Sequence, residues 1–590
     1  METKAEAPDI PASPLHDHDT APATDNDLND ERYHIHGHKR IIVVLALGLI
    51  LFISALDSTI VSVALPVIGA YFDDYTQSSW IVTAYLITYT AFLPLVSKLT
   101  DILGRKPVLI FSTIFFMLWS GACGGAKSMV QLIVFRAMQG IGGSAIYSAV
   151  IVTISTIVPR AEVAMYTPMI GITYALSSVA GPLIGGAIVS HIHWGWIFFV
   201  NLPIGTVGGL LLLYGLKDPH QGPQNWLTIV RRIDWVGSIL LLAMSVLLAF
   251  ALQVGGTNGY PWVSAKVLAP LIVSACLLPL FVFVERRHPE PMVPPSLFNQ
   301  RNFAFIIIFT LCLGAGFFTT TIFLPQRMEV VDLRSPISAG VRMLPQLLTL
   351  GVLSMLSGAA VVITRSYRLL LSIAAMLGAV GCGLLSTLSA HTHYSAQYGF
   401  EALVGVSVGV TIPVSTMVVQ FSTPRRDLAP ATGVQSFARQ LGALVGIATD
   451  TALLNARVRR RLAGLPGLSA AAAEGIIQDP SGVLPKLPAT QRAYVQQAYA
   501  DGFSKVFIAG AAWLAFGALA TLVLQHILPP ELESVGRKRM GEAAAGTENA
   551  RVDLGEVTHS EATAQRDNML GRLSPTDGDM GPAADPPNSP

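Results

Sequence analysis

The sequence predicts an all-α polytopic membrane protein with fourteen membrane-spanning helices. Two observations predict this class. Of the 590 residues, 52% are hydrophobic and only 13% are charged, a composition that a soluble globular domain does not have. Apolar runs also follow one another between residues 41 and 527, and each is long enough to cross the hydrocarbon core of a bilayer as a helix.

Short polar connections separate the fourteen predicted spans. The spans cover residues 41–65, 79–97, 108–125, 130–157, 165–189, 197–215, 235–253, 265–284, 303–325, 341–363, 369–389, 398–420, 431–454 and 504–527. Because their number is even, both tails lie on the same side of the membrane. The short loops on that side are rich in cations, such as Arg105, Lys106, Arg286 and Arg287. Cationic loops stay in the cytoplasm, so both tails are predicted to be cytoplasmic.

One outer loop breaks this charge rule. It contains Arg457, Arg459, Arg460 and Arg461, directly after the thirteenth span. Two explanations remain open: the segment folds back as an amphipathic helix at the membrane surface, or the thirteenth span is misplaced.

The two tails, residues 1–40 and 528–590, are polar and show no helical or strand periodicity. Such segments are predicted to be disordered. His34, His36 and His38 could bind a metal ion, although a flexible, solvated tail is the favoured interpretation.

Several classes of function find no support in the sequence. Cys123, Cys276, Cys312 and Cys382 lie in or beside apolar runs without a CxxC pair, so they are interpreted as packing residues. The chain has no P-loop, nucleophile elbow or HExxH sequence. We therefore expect neither an enzyme nor an ATP-driven pump, and no cofactor or metal. A net charge of +1 without a basic stripe gives no indication of nucleic-acid binding.

Two charged residues lie inside predicted membrane helices. Arg136 is the one formal charge between Lys127 and Arg160, and Asp57 lies in the first span. Both are about eight or nine residues from the outer end of their helices, so they could pair if the first and fourth helices touch. A charge inside the membrane is costly unless it is paired or faces water, which makes both residues candidates for function. The simpler alternatives are that Arg136 snorkels to the interface and that Asp57 caps a break in its helix.

A tight cytoplasmic turn follows the second span. It reads Ser97-Lys-Leu-Thr-Asp-Ile-Leu-Gly-Arg-Lys-Pro107. Asp101 could pair with a neighbouring helix, so that breaking the pair releases one conformational state, or it could only help to hold the topology.

Further patterns recur along the chain. The first span contains D-x-T-I-V-x-x-A-L-P from Asp57 to Pro66, and the fourth contains R-x-x-Q-G-x-G-G from Arg136 to Gly143. The fifth contains Gly181, Pro182, Gly185 and Gly186, and W-G-W-x-F-x-V-N-x-P-x-G at residues 194–205 runs into the sixth.

In this order, the patterns resemble the motifs of the major facilitator superfamily, and within it the fourteen-helix drug:proton antiporter family. Ser97 replaces the opening glycine of the family's turn motif, and Gly195 replaces a usual arginine. Pro168 and Ser177 replace two glycines of the antiporter motif G-x8-G-x3-G-P-x2-G-G. The resemblance implies two six-helix bundles, residues 41–215 and 303–527, with helices seven and eight inserted between them in residues 216–302.

The resemblance also implies roles for individual residues. Asp57 and Arg136 would couple transport to protons. The gating turn would consist of Asp101, Gly104, Arg105 and Lys106. The helix-packing and antiporter motifs would comprise Gln139, Gly140, Gly143, Gly181, Pro182, Gly185 and Gly186.

The C-terminal half shows traces of an internal repeat, as in transporters with alternating access. Gly433, Gly442 and Gly446 repeat the glycine spacing of the fifth helix, and Arg439 adds a third intramembrane cation. Glu401 and Asp450 are titratable groups near the outer interface. They are either interface residues or, with Arg439, part of the transport pathway.

The resemblance implies a proton-coupled exporter, an antiporter, of small amphipathic organic compounds, such as a fungal secondary metabolite, toxin or drug. Its partners would be the substrate, protons and the lipid bilayer, and it would act as a monomer in the plasma membrane, with a vacuolar or vesicle membrane as alternatives. The pair Gly181–Pro182 favours export. A siderophore or other small-molecule importer of the same superfamily, or a non-transporting membrane sensor, remains an alternative.

Overall fold

Helices make up nearly all of the chain that the computed structural model describes. The described residues are 35, 37–78, 80–158, 165–216, 233–255, 261–289, 291–389, 392–424, 427–464, 473, 475–477, 480–484 and 487–525. All belong to one unit within residues 1–527. The predicted disorder of residues 1–34 and 528–590 and the histidines at positions 34 and 36 fall outside the described residues.

In this described part, fourteen helices are long and apolar enough to cross a membrane. They are α1 (His38–Tyr71), α2 (Trp80–Leu103), α3 (Arg105–Gly124), α4 (Met129–Ile157), α5 (Met169–His191), α6 (Trp196–Gly215, formed by the consecutive pieces Trp196–Phe199 and Asn201–Gly215), α7 (Trp235–Val254), α8 (Ala265–Glu285), α9 (Arg301–Val330), α10 (Leu344–Thr364), α11 (Tyr367–Leu385), α12 (Tyr394–Ser422), α13 (Leu428–Leu462) and α14 (Ala489–Leu522). Each predicted span overlaps one of these helices, so the predicted number and order are confirmed.

Several of the membrane helices begin at a polar residue that caps the first turn. A bilayer offers no water to the backbone, so an apolar run that crosses it must satisfy its own hydrogen bonds as a helix. Ser128 begins α4 by accepting a hydrogen bond from the Gln131 amide, and Asp234 caps α7 through the Gly237 amide at 2.7 Å. Such caps satisfy the first amides of a helix, which have no partner within it.

The helices pack as two bundles with a helix pair inserted between them in sequence. Apolar residues of α1–α6 form the cores of one bundle, and those of α9–α14 form the core of the other. Helices α7 and α8 pack against each other, and α7 also contacts α2 and α13. The observed architecture is the predicted one.

The two bundles contact each other at the ends of α2, α4, α12 and α13 that carry the predicted cytoplasmic loops. The Ser97 hydroxyl of α2 donates a hydrogen bond to the Ala429 carbonyl of α13. On a neighbouring pair of helices, the Gln420 amide of α12 donates to the Ser155 hydroxyl of α4 at 2.6 Å. These contacts join the bundles on the side of the membrane where the sequence places both tails.

The arginine-rich segment after the thirteenth span belongs to the helix itself. Helix α13 continues without a break to Leu462 and has 35 residues, about 52 Å at 1.5 Å per residue, whereas a hydrocarbon core is about 30 Å thick. Arg461 forms an ion pair with Asp501 of α14, and the Tyr494 hydroxyl donates to the Arg461 carbonyl at 3.0 Å. The fold-back explanation is therefore wrong: α13 and α14 extend past the bilayer side by side.

Candidate functional site

The charged residues of α1 and α4 meet inside the N-terminal bundle. Asp57 and Arg136 form an ion pair, and the side chain of each is at most 1% exposed. Helix α1 runs unbroken from His38 to Tyr71, so Asp57 does not cap a helix break. Arg136 points into the bundle rather than to the interface, so it does not snorkel.

Both carboxylate oxygens of Asp57 have hydrogen-bond donors. Oδ2 faces Arg136 Nη1. Oδ1 accepts from Gln139 Nε2 at 2.9 Å and from Asn201 Nδ2 at 3.2 Å. Asn201 also donates to the Ser120 hydroxyl at 3.0 Å, which ties α6 and α3 to the carboxylate. Four helices therefore converge on this one acid.

The guanidinium of Arg136 is held on several sides. Its Nε donates to the Ile81 carbonyl of α2 at 3.1 Å, and Nη1 also donates to Gln139 Oε1 at 2.7 Å. The Tyr85 ring lies 4.3 Å from the guanidinium carbon, close enough for a cation–π interaction. A planar fork that uses two nitrogens in different directions is a property of arginine that lysine does not share.

Glycines allow these helices to approach closely enough for the polar contacts. A Cβ atom on Gly142 would lie 2.9 Å from the Phe116 backbone of α3, and one on Gly140 would lie 3.1 Å from the Tyr85 Cα of α2. On the other side of α1, a Cβ on Gly185 of α5 would lie 2.9 Å from Ile60. Close backbone packing of this kind requires small residues in membrane helices.

The rest of the antiporter segment also packs on α1 or faces the other bundle. Gly181 lies against Thr59, whose hydroxyl donates to the Ser177 carbonyl at 3.2 Å. Gly186 is buried. Pro182 lies beside Gly340, in the short helix Pro336–Arg342 that precedes α10. This segment therefore touches both bundles.

The turn between α2 and α3, which the sequence predicts to be cytoplasmic, is a single residue long. Gly104 has φ of 90°, a left-handed conformation that a residue with a Cβ adopts only with strain. Lys106 Nζ donates to the Leu213 carbonyl at the end of α6 at 3.2 Å. Asp101 is half-buried on α2, and Arg105 begins α3.

Two further acids lie inside the C-terminal bundle. Asp450 and Glu401 are 0% exposed, so both carboxylates lie inside the protein. Asp450 accepts from the Thr319 hydroxyl at 2.5 Å, and Glu401 accepts from Gln397 at 2.8 Å. In the described part of the chain, no group of three histidine, cysteine, aspartate or glutamate residues could hold a metal ion.

Arg439, the third intramembrane cation, lies at the interface of the two bundles. It is 9% exposed, and its Nη2 donates to the Tyr147 hydroxyl of α4. Its own backbone packs against Gly314 of α9.

Sequence reasoning missed part of the Asp57 environment. Gln139 was assigned only to helix packing, whereas its amide contacts both charges. Asn201 received no role, although the asparagine of the 194–205 pattern was the available signal. Nothing in the sequence indicated Tyr85 or Ser120, because common residues of apolar helices carry no such signal.

Known proteins are similar to this chain over most of its length. A family model for the Major Facilitator Superfamily matches residues 47–447. The MFS-type transporter FPY5 of Fusarium mangiferae is 37% identical over 74% of this chain and 76% of that protein. The MFS-type efflux pump MFS1 of Trichophyton rubrum is 32% identical over 87% of this chain and 95% of its own.

Similarity extends to bacteria and to a solved structure. The multidrug transporter protein MdtP of Bacillus subtilis is 30% identical over 87% of this chain and 98% of its own length. The crystal structure of the human organic anion transporter MFSD10 superimposes with a TM-score of 0.52, at 12% identity, over 81% of this chain and 100% of that one. At that identity the match bears on the fold alone.

Proposed function

This chain belongs to the major facilitator superfamily, and on that premise we propose that it is a proton-coupled exporter of small amphipathic organic compounds. The fully buried pair of Asp57 and Arg136 carries the proposal. An acid inside the membrane is retained where its charge is used, typically along an ion or proton pathway.

Protonation of Asp57 removes the negative charge that Arg136 faces. The attraction between α1 and α4 then weakens, while Gln139 and Asn201 still hold the neutral acid in place. A change at one pair can shift the balance between two transport states that differ by a few kcal/mol. The bundle would thus respond to one proton without losing its structure.

The relatives and the packing of α5 support the proposed direction of transport and the proposed class of substrate. Several relatives are named efflux pumps or multidrug transporters, and most of these are fungal, which supports export of a secondary metabolite, toxin or drug. Gly181, Pro182 and Gly185 keep α5 close against α1 and the other bundle, an arrangement suited to preventing proton leak. We place the protein in the plasma membrane as a monomer.

The test uses full-length protein in proteoliposomes with an imposed pH gradient and a panel of anionic, neutral and cationic amphipathic compounds. We expect Asp57→Asn to reduce gradient-driven transport to background, while exchange of the same compound without a gradient continues. The matched control is Asp501→Asn, which breaks the exposed Arg461 pair and should leave coupling intact. Gradient-driven transport by Asp57→Asn at the wild-type rate would remove Asp57 from the mechanism.

A further inference from the structure

Arg439 differs from Arg136 in having no built-in counter-charge. In the described part of the chain, its hydrogen-bond partner is a neutral phenol, the Tyr147 hydroxyl, and its guanidinium carbon lies 5.4 Å from the Tyr147 ring. Arg136, in contrast, faces Asp57 directly. A buried cation without an anion is unfavourable in a membrane protein. We therefore expect this position to bind an anionic ligand.

The nearby acids do not supply that charge. Asp450 lies on the same helix, 11 residues further along, or about 16 Å at the helical rise, and it is bound to Thr319. Glu401 of α12 is bound to Gln397. Neither acid forms an ion pair with Arg439 among the described contacts.

Two further tyrosines lie beside Tyr147, the residue that contacts Arg439. Tyr147 lies 6.0 Å from Tyr174 and 6.3 Å from Tyr89, measured between ring centroids. The hydroxyls of Tyr89 and Tyr174 are 3.4 Å apart. The Tyr147 and Tyr174 rings meet edge to face, at 78°, and the Tyr89 ring is tilted by 51° from that of Tyr147. Each tyrosine offers a flat apolar surface together with a polar tip, on which a conjugated molecule can pack.

We propose that the exported compound is an organic monoanion with an aromatic or conjugated body, and that Arg439 binds its charged group while Tyr89, Tyr147 and Tyr174 contact the body. The proposal rests on the proposed export function and specifies its substrate class. A guanidinium binds a planar carboxylate-type anion through two parallel hydrogen bonds. To do so here, Arg439 would exchange its bond to Tyr147 for two to the substrate, at the place where the two bundles meet.

The same rings connect this position to the acid of the N-terminal bundle. Tyr89 stacks on Tyr85 at 5.7 Å, and Tyr85 packs against Arg136. A chain of three tyrosines therefore runs from Arg439 to the Asp57–Arg136 pair. A substrate that displaces Tyr147 from Arg439 acts on one end of this chain, and protonation of Asp57 acts on the other.

The test measures binding without any gradient, so its outcome does not depend on proton coupling. Full-length protein in nanodiscs is titrated with three probes of similar shape: 1-naphthoate, 1-naphthamide and 1-naphthylmethylamine. We expect naphthoate to bind at least about 10-fold more tightly than the amide, and the cationic amine to bind most weakly, because charge-assisted hydrogen bonds are the strong ones.

Variants assign the preference to one residue. Arg439→Gln should weaken naphthoate binding by about 10- to 100-fold and leave the affinity for the amide within about twofold, and Arg439→Lys should keep part of the preference because lysine retains the charge. Arg461→Gln, on the exposed extension of α13, is the matched control and should change neither.

Three outcomes would overturn the substrate class. They are the absence of saturable naphthoate binding, equal binding of naphthoate and naphthamide to the wild type, and an unchanged preference in Arg439→Gln. The first two need no variant, so they decide the matter even if Arg439→Gln does not fold. Anion preference in nanodiscs without gradient-driven export would support this assignment and contradict the proposed coupling.

Discussion

The contact between α2 and α13 predicts how strongly one methyl group can open the cytoplasmic side. A Cβ atom on Gly433 would lie 2.5 Å from Ser97 Cβ and 2.8 Å from its hydroxyl oxygen. Gly433→Ala must therefore push the two helices apart in this state. Overpacking of this kind costs about 1–3 kcal/mol, and about 1.4 kcal/mol is a factor of ten in a population ratio. We expect the ratio of cytoplasm-open to cytoplasm-closed molecules to rise by about 5- to 150-fold.

The population ratio can be read from distances between the bundles. Spin labels at Leu103 and Arg368, which are exposed near the cytoplasmic ends of α2 and α11, report the separation by pulsed electron resonance. The exposed thiol of Cys276 is first replaced by serine. Gly433→Ala should increase the long-distance population, and a distance distribution identical to that of the parent would refute the steric argument.

Two further variants distinguish the steric clash with Ser97 from an unspecific effect of adding a methyl group to a helix. Ser97→Gly removes the atoms that a new methyl group would meet, so the double variant with Gly433→Ala should show the same distribution as Ser97→Gly alone. By itself, Ser97→Gly removes one hydrogen bond to Ala429, worth about 0.5–1.5 kcal/mol, and should not impair transport. Gly383→Ala is the matched control, because its new Cβ would meet no atom within 4 Å.

Other predictions concern the two charged sites and the turn. Arg136→Ala should abolish gradient-driven export, whereas Arg136→Lys should keep a part, because lysine retains the charge but has a single nitrogen in place of the planar fork whose Nε and Nη1 face Ile81 and Asp57; normal transport by Arg136→Ala would contradict the role of the pair. Asp101→Asn should lower turnover with nearly unchanged substrate affinity, since a partly exposed pair is worth about 0–1 kcal/mol; a lower affinity at normal turnover would indicate a substrate contact instead. If one proton enters for each molecule exported, the export of an anion such as naphthoate should move a net two positive charges inward per cycle. The export of a neutral amide should move one. Current per transported molecule in proteoliposomes clamped with valinomycin measures this ratio, and equal currents would contradict it.

Much of the N-terminal site could be anticipated from the sequence. Asp57 and Arg136 interrupt long apolar runs. Because an isolated charge in the membrane is costly, each is expected to pair with an opposite charge at similar depth. The number of spans follows from the same property, since every apolar run of sufficient length must become a helix. These inferences depend only on the local composition of the chain, which is the same in any tertiary structure.

Contacts between distant helices could not be anticipated in this way. Asn201 reaches Asp57 across 144 positions in the sequence, and Arg439 reaches Tyr147 across 292. Which face of a helix meets which neighbour depends on its rotation, and one residue of error turns the face by about 100° at 3.6 residues per turn. Many weak packing contacts between helices set that rotation together.

The sequence by itself therefore determined the membrane class, the fourteen spans and the two charges that had to find partners, because each of these follows from the cost of placing polar groups in hydrocarbon. The tertiary structure decided that Ser97 meets Gly433, that α13 extends past the bilayer to Leu462, and that Arg439 faces tyrosines instead of an acid. Those outcomes depend on how helices far apart in the chain rotate and pack against one another.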